Sequence, residues 1–172
     1  MRRALVAIIV VVVVLVVAGL FLVRRQIRLA WPQTNGALQV AGLQDKVTVI
    51  RDKRGIPHIY ASNPHDLFMA QGFVHAQDRF WQMEFWRRIG EGRLSELFGE
   101  SQLDTDRFLR TLGVMRSAQL SRDKLDEEAL GVLEAYAQGV NVYIDQNKNR
   151  LPLEFRILGL NGVKLPPNRG RR

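Results

Sequence analysis

The 172-residue sequence contains no cysteine. That excludes disulfides, thiolate nucleophiles and thiolate metal sites, and it leaves the redox compartment open. Histidine is scarce: there are three, His58, His65 and His75, and their spacings match no zinc motif of the HExxH kind. Acidic residues are missing from residues 1–28, which hold five arginines (Arg2, Arg3, Arg24, Arg25 and Arg28). The last four residues hold three more, Arg169, Arg171 and Arg172. Between these ends, residues 29–168 carry 17 basic and 17 acidic side chains, so the formal charge of +8 belongs to the termini. A nucleic-acid-binding domain needs a clustered basic face to displace counterions from phosphates. Nothing here clusters that way, and no nucleic-acid partner is expected.

What is present first is a long apolar run. Residues 4–23, ALVAIIVVVVVLVVAGLFLV, contain no charged or strongly polar group. Their number matches the roughly 20 residues that a helix needs to cross a hydrocarbon core of ~30 Å. A cleavable signal peptide has a shorter apolar stretch, about 7–15 residues, before a small-residue site. Val16 to Ala18 offers such a site, so cleavage stays an alternative. The uninterrupted run to Val23 favours an uncleaved signal anchor (4–23) behind a short flank (1–3). Two arginines precede the span and three follow it, which does not decide orientation. The shortness of the N-terminal flank puts the body on the extracytoplasmic side, as a single-pass membrane protein.

Residues 24–36 read as a linker, with Pro32 and Thr34-Asn35-Gly36 as breakers. Two short runs follow, ALQVAGL and KVTVIRD. The second alternates Val47, Val49 and Arg51 against Thr48, Ile50 and Asp52, as a strand does. DKRG (52–55) signals a turn and IPHIYA supplies a partner run, with Pro57 confined to an edge or a first strand position. The expectation is a β-hairpin. SNPHD (62–66) is a helix start: Asn63 as cap, Pro64 at the first helical position and Asp66 in the first turn. The helix should run to about Ile89, where Gly90-Glu91-Gly92 stops it. A short helical turn ends at Gly99, a second short helix closes at Gly113, and a last long helix spans about 122–146. Leu125, Leu130, Leu133, Tyr136, Val140 and Tyr143 give that helix one apolar face.

The stretch GFVHAQDRFWQMEFWRR (72–88) mixes polar and aromatic residues. At 100° per residue, Leu67, Ala70, Val74, Trp81 and Phe85 form one stripe. Met69, Phe73, Ala76, Phe80 and Met83 form a second, and Phe68 and Trp86 fill a third sector. A helix that is apolar on several sides is usually buried. Gln71, His75, Asp78 and Gln82 form a polar seam between the stripes. One reading is a general acid–base pair, His75 oriented by Asp78, in a stand-alone hydrolase. The favoured reading is a satisfied polar network inside a larger protein. None of the five serines (Ser62, Ser95, Ser101, Ser117, Ser121) lies in a GxSxG elbow. So many apolar faces call for more partners than one other long helix and a hairpin supply.

Four motifs in order, VIRDKRGIPHIYA, DLFMAQGFVHAQDRFWQMEFWRRIGEGRLSELFG, LEAYAQGVNVYI and LPLEFRILG, resemble the N-terminal part of the penicillin acylase (penicillin amidase) family, over about residues 36–159. The resemblance implies an α+β fold: a helix-rich segment with an N-terminal β-hairpin, part of a four-layered αββα N-terminal-nucleophile hydrolase. Such enzymes are made as precursors that cut themselves to free a serine at the head of a β chain. Its hydroxyl attacks an amide, its own α-amino group acts as base, and oxyanion donors hold the intermediate. Implied substrates are N-acyl compounds such as β-lactam antibiotics, or acyl-homoserine lactones in related members. The nucleophile, the oxyanion donors and the calcium ligands of full-length members lie beyond the matched region. No catalytic, substrate or metal residue is therefore expected in this chain, and no cofactor; the expected partners are the membrane, through the N-terminal helix, and a serine-led β chain. The matching positions, Arg51, Asp52, Gly55, Pro57, His58, Asp78, Arg79, Gln82 and Gly92, together with His75, are expected to be framework.

Residues 37–165 are thus read as a truncated α-chain segment and 166–172 as a divergent tail. One legal back-translation of Pro167 to Arg172, shifted by two bases, reads Glu-Pro-Trp-Thr-Pro, which resembles how the family pattern continues. The expectation is a frameshift, real or from sequencing, that leaves a segment inactive alone. The alternative outside enzymology is a membrane-tethered helical interaction module.

Overall fold

The computed structural model describes residues 2–160; the expected divergent tail lies outside the described residues. Helix α1 (Arg2–Leu29) is unbroken over 28 residues. Its large apolar side chains from Leu5 to Ile27 are exposed, and it is long and apolar enough to cross a membrane. The helix does not stop with the apolar run at Val23; it carries the arginines of the expected linker as far as Leu29.

The hairpin forms as expected. Strands β1 (Thr48–Arg51) and β2 (Pro57–Tyr60) pair antiparallel, with Thr48 opposite Tyr60 and Arg51 opposite Pro57. Pro57 takes the first position of its strand, where a missing N–H costs least. The turn is built by Asp52, whose Oδ1 accepts from the N–H groups of Arg54 (2.8 Å) and Ile56 (2.9 Å). Gly55 adopts φ +79°, which a residue with a Cβ rarely takes. The earlier run, ALQVAGL, forms no strand.

Helix α2 (Pro64–Glu91) starts as the sequence indicates, with the Asn63 side chain accepting from the Asp66 N–H at 2.8 Å. It ends two residues later than expected, on the left-handed Gly92. Arg79 breaks its interior with φ −141° and ψ 27°. No proline or glycine lies near enough to announce this kink in the sequence.

Short helices follow: α3 (Ser95–Phe98), a 3₁₀ turn (Glu100–Gln102) and α4 (Leu103–Leu112), which Gly113 closes. The helix expected over 122–146 begins five residues later, as α6 (Glu127–Gln146), and a separate helix that was not expected, α5 (Val114–Arg122), precedes it. The Asp126 side chain accepts from the Ala129 N–H at 2.8 Å, satisfying a donor that a continuous helix would have bonded internally. Two glutamates in the first turn suit the positive end of the dipole. Leu125 is consequently outside the helix, and Leu133 stays half exposed. The apolar face of α6 is buried only from Ala135 onward. A last short helix, α7 (Leu153–Ile157), completes the described part.

The core sits where α2 crosses α6. Phe73, Ala76 and Phe80 of α2 meet Val140, Tyr143 and Ile144 of α6, and Leu151 and Phe155 close the cluster. Phe80 stacks on Phe155 with ring centroids 4.7 Å apart, and Phe73 meets Tyr143 edge-on at 5.6 Å. Two glycines set the helix separation. A Cβ on Gly72 would collide with the Tyr136 carbonyl oxygen, and one on Gly139 with the Met69 carbonyl oxygen. Both stand in the same tripeptide, Ala-Gln-Gly. Of the three apolar sectors of α2, the one holding Met69, Phe73, Ala76 and Phe80 is fully covered; Trp81 and Phe85 are partly covered and Trp86 is exposed.

Candidate functional site

The candidate residues fall into separate small assemblies. The kinked helix α2 presents Asp78 towards the end of β1. There the Arg51 guanidinium donates from Nη1 to Oδ2 and from Nη2 to Oδ1 of Asp78, both at 2.8 Å. Nη2 also donates to Gln77 Oε1 at 3.0 Å, and Nη1 to the carbonyl of Gly55 at 3.2 Å. One arginine thus joins strand, turn and helix. A bidentate arginine–carboxylate pair fixes geometry as well as charge, and the pair is largely shielded from solvent. Asp52 and His58, across the turn, approach only to 3.7 Å at the surface.

The expected seam does not close into a network. Asp78 is committed to Arg51, and His75 Nδ1 bonds instead to the Tyr136 hydroxyl at 3.0 Å. His75, Arg79 and Gln82 are exposed, Arg79 at the kink itself. The physical reason is that α6 covers one side of α2, reaching His75 only through the Tyr136 hydroxyl and leaving Arg79 and Gln82 open. Burial raises the pKa of the Tyr136 hydroxyl, so the partner of His75 is a neutral phenol. Gly92 lies elsewhere: Arg110 Nε donates to its carbonyl at 2.9 Å, and a Cβ there would meet the Arg110 side chain and the Asp106 carbonyl.

Three of the five serines have their hydroxyls engaged. Ser62 Oγ donates to Asp45 (2.8 Å), Ser95 Oγ to Asp106 (2.6 Å) and Ser101 Oγ to the Phe98 carbonyl (3.3 Å). A nucleophile must sit within hydrogen-bond reach of its base, and each of these hydroxyls is turned to a structural acceptor. Among the described residues, no three histidine, aspartate or glutamate side chains converge to hold a metal ion.

Three polar sites escaped the sequence. Asp66 is fully buried, and its carboxylate accepts from the backbone N–H groups of Gln44 (3.0 and 3.1 Å) and Asp45 (2.7 Å) and from Asn63 Nδ2 (3.0 Å), with His65 Nδ1 3.0 Å away. Burial alone would raise its pKa; the Gln44, His65, Asp45 and Asn63 bonds outweigh it and hold the carboxyl well below the usual range. Asp106 does the same for the N–H groups of Leu94 (2.7 Å) and Ser95 (2.8 Å), again with a lowered pKa. Glu84 and Arg88 are buried together, and Arg88 reaches on to Glu96 while Arg87 holds Glu84 and Glu91. The i,i+3 and i,i+4 spacing of Glu84, Arg87, Arg88 and Glu91 was a readable signal. The loop backbone N–H groups that Asp66 and Asp106 hold lie 11 to 22 residues away, and no local pattern marks them.

An open groove of about 480 Å³ runs between the linker, β1 and α2. Val40, Val47, Val49 and Phe73 line it, with Arg51 and Gln77 among the polar groups.

The assemblies thus comprise a hairpin clamped by arginine to a kinked helix, with a glycine-spaced helix pair beneath it. The penicillin amidase family model matches residues 46–167, and the chain belongs to that family. It is 40% identical over 136 residues to the penicillin acylase 2 proenzyme of a Pseudomonas species, covering 79% of this chain and 17% of that protein. The acyl-homoserine lactone acylase QuiP of Pseudomonas aeruginosa is 35% identical over 124 residues, 72% of this chain and 15% of the relative. The penicillin G acylase of Escherichia coli is 33% identical over 126 residues, 71% and 15% of the two. Among solved structures, a thermostable penicillin G acylase from Alcaligenes faecalis superposes with a TM-score of 0.63 at 28% identity, covering 70% of this chain and 65% of that one. The chain therefore spans about one-sixth of the length of the curated relatives it matches.

Proposed function

We propose that these residues form the N-terminal framework of a membrane-tethered amidohydrolase that cleaves non-peptide C–N amide bonds in N-acyl compounds. The substrates are N-acyl β-lactams, or acyl-homoserine lactones; both carry an acyl chain on an amide nitrogen, and relatives named for each are similar to this chain. The nucleophilic serine, its α-amino base and the oxyanion donors come from polypeptide outside these 172 residues, within the four-layered core that the family resemblance implies. The segment alone is inactive.

The observation that supports this best is the commitment of the polar side chains. Asp78 is held by Arg51, and His75 faces a neutral tyrosine. Neither of these bonds is to a serine hydroxyl. In this reading Arg51, Asp52, Gly55, Pro57, His58, Asp78 and Gly92 position the hairpin and helix against the absent part of the enzyme. His75, Arg79 and Gln82, exposed here, meet that part. Helix α1 serves as a single-pass anchor, with the body on the extracytoplasmic side.

Sequencing across the locus tests the reading. The expected result is a downstream frame, in phase or shifted, that encodes a serine-led acylase chain. A stop followed by no acylase-like sequence in any frame would contradict it and favour a tethered interaction module.

A further inference from the structure

The arginines at the end of α1 have no role in the framework, and their placement points to a ligand. We propose that Arg24, Arg25 and Arg28, together with Trp31 and Arg150, bind the headgroup of an anionic phospholipid on the side of the bilayer that carries the folded body. The proposal rests on the reading of α1 as a membrane anchor.

Depth is the first support. Residues 4–23 rise through about 30 Å as a helix, the thickness of the hydrocarbon core. Because α1 continues as helix to Leu29, Arg24 stands at the hydrocarbon edge and Arg28 about 6 Å beyond it. The headgroup layer on each side is about 5–8 Å deep, so all three guanidinium groups fall within it. Around the axis, Arg24, Arg28 and Arg25 lie within a sector of about 100°.

Charge is the second. From residue 2 to residue 44 there is no carboxylate; the first is Asp45. All three arginines are exposed, and no protein carboxylate is close in sequence to neutralise them. Complementing the negative end of the helix dipole would need a cation only in the last turn, which Arg28 alone supplies. Arg24 and Arg25 are surplus to that purpose.

A cavity is the third. The Arg28 guanidinium lies 5.9 Å from the ring centroid of Trp31, and Trp31 is 66% exposed, as an interfacial tryptophan would be. Beside it, a cavity of about 260 Å³ opens between the helix end and the body, lined by Trp31, Gln33, Gln146, Asn147 and Arg150. The linker is held there: Gln77 Nε2 donates to the Gln33 carbonyl (3.1 Å) and Gln146 Nε2 to the Gln39 carbonyl (2.8 Å). The body is therefore seated at the end of the span, and its Arg150 faces the same cavity as Trp31.

The test uses the full chain in detergent with an equimolar mixture of phosphatidylglycerol and phosphatidylcholine, and counts retained lipids by native mass spectrometry. Each arginine near an anionic surface favours it by roughly fivefold. The expected result is at least a tenfold preference for phosphatidylglycerol, abolished in R24Q/R25Q/R28Q, weakened in R150Q and kept in R2Q/R3Q. Equal retention of the two lipids, or a preference that the triple substitution leaves intact, overturns the proposal. Flotation with vesicles of pure phosphatidylcholine separates this failure from failure of the anchor: chain that floats with them is anchored whatever its headgroup preference, and chain that does not contradicts the anchor itself. Circular dichroism of R24Q/R25Q/R28Q should match the parent, since these side chains contact solvent.

Discussion

Arg51 and Asp78 are joined by two hydrogen bonds of 2.8 Å across 27 residues of sequence, and that pair fastens the hairpin to the kink of the central helix. Hydrogen bonds to charged groups contribute about 1.5–3 kcal/mol where solvent is excluded. Arg51→Ala or Asp78→Asn should each lower stability by about 2 kcal/mol. A double-mutant cycle by chemical denaturation should give a coupling above about 1 kcal/mol. Arg51→Lys should not rescue, because an ammonium cannot form the fork. A coupling near zero would reduce the pair to a surface contact.

The helix crossing makes a second prediction. Gly72 and Gly139 each face a carbonyl oxygen of the opposite helix with no room for a Cβ. Backbone cannot retreat as a side chain can, so Gly72→Ala or Gly139→Ala should cost about 3 kcal/mol or prevent folding, at the upper end of overpacking effects. Gly131 has open space around it, and Gly131→Ala should stabilise by about 0.5–1 kcal/mol. Equal effects at all three positions would contradict the close approach.

The elements were largely legible in the sequence, and the reason is local chemistry. The Asp52–Gly55 turn, the Asn63-Pro64 start and the left-handed glycines at 92 and 113 each announce themselves within a few residues. The later start of the last long helix was legible too, in the acidic cap at Asp126, but Leu125 before it was read as part of the apolar face. What the sequence did not reveal depends on distant partners. The kink at Arg79 has no proline or glycine behind it, and the choice of Arg51 by Asp78 over His75 is made by how the hairpin lies on α2. The Asp66 and Asp106 sites are invisible for the same reason: backbone N–H groups carry no signature.

Acid should expose those carboxylates. Asp66, Asp106, Asp52 and Glu96 are all held below their ordinary pKa values. Below about pH 4 the unfolded chain takes up protons that the folded chain refuses, so stability is fully present above the ordinary carboxylate range and falls as the pH drops through it. Asp66→Asn should cost about 2 kcal/mol at pH 7 and flatten the decline between about pH 4 and pH 2. Denaturation midpoints measured over that range check the sign; a parent profile that rises towards acid would refute it.

Apolar surface left uncovered should show itself without the rest of the enzyme. Trp86, Phe108, Leu112 and Leu120 are all more than half exposed on the body, and large exposed apolar side chains favour association. A chain beginning after α1 should bind a hydrophobic dye and sediment as aggregates. A monodisperse species with a sharp cooperative melt would favour a self-sufficient module.

The central claim is that this segment holds a frame and performs no chemistry by itself. The most direct measurement is hydrolysis of chromogenic N-acyl amides, with β-lactam and acyl-homoserine lactone substrates in parallel, by the purified 172-residue chain and its His75→Ala variant. The account predicts release at the buffer rate for both proteins. Turnover by the parent chain that His75→Ala abolishes would contradict it.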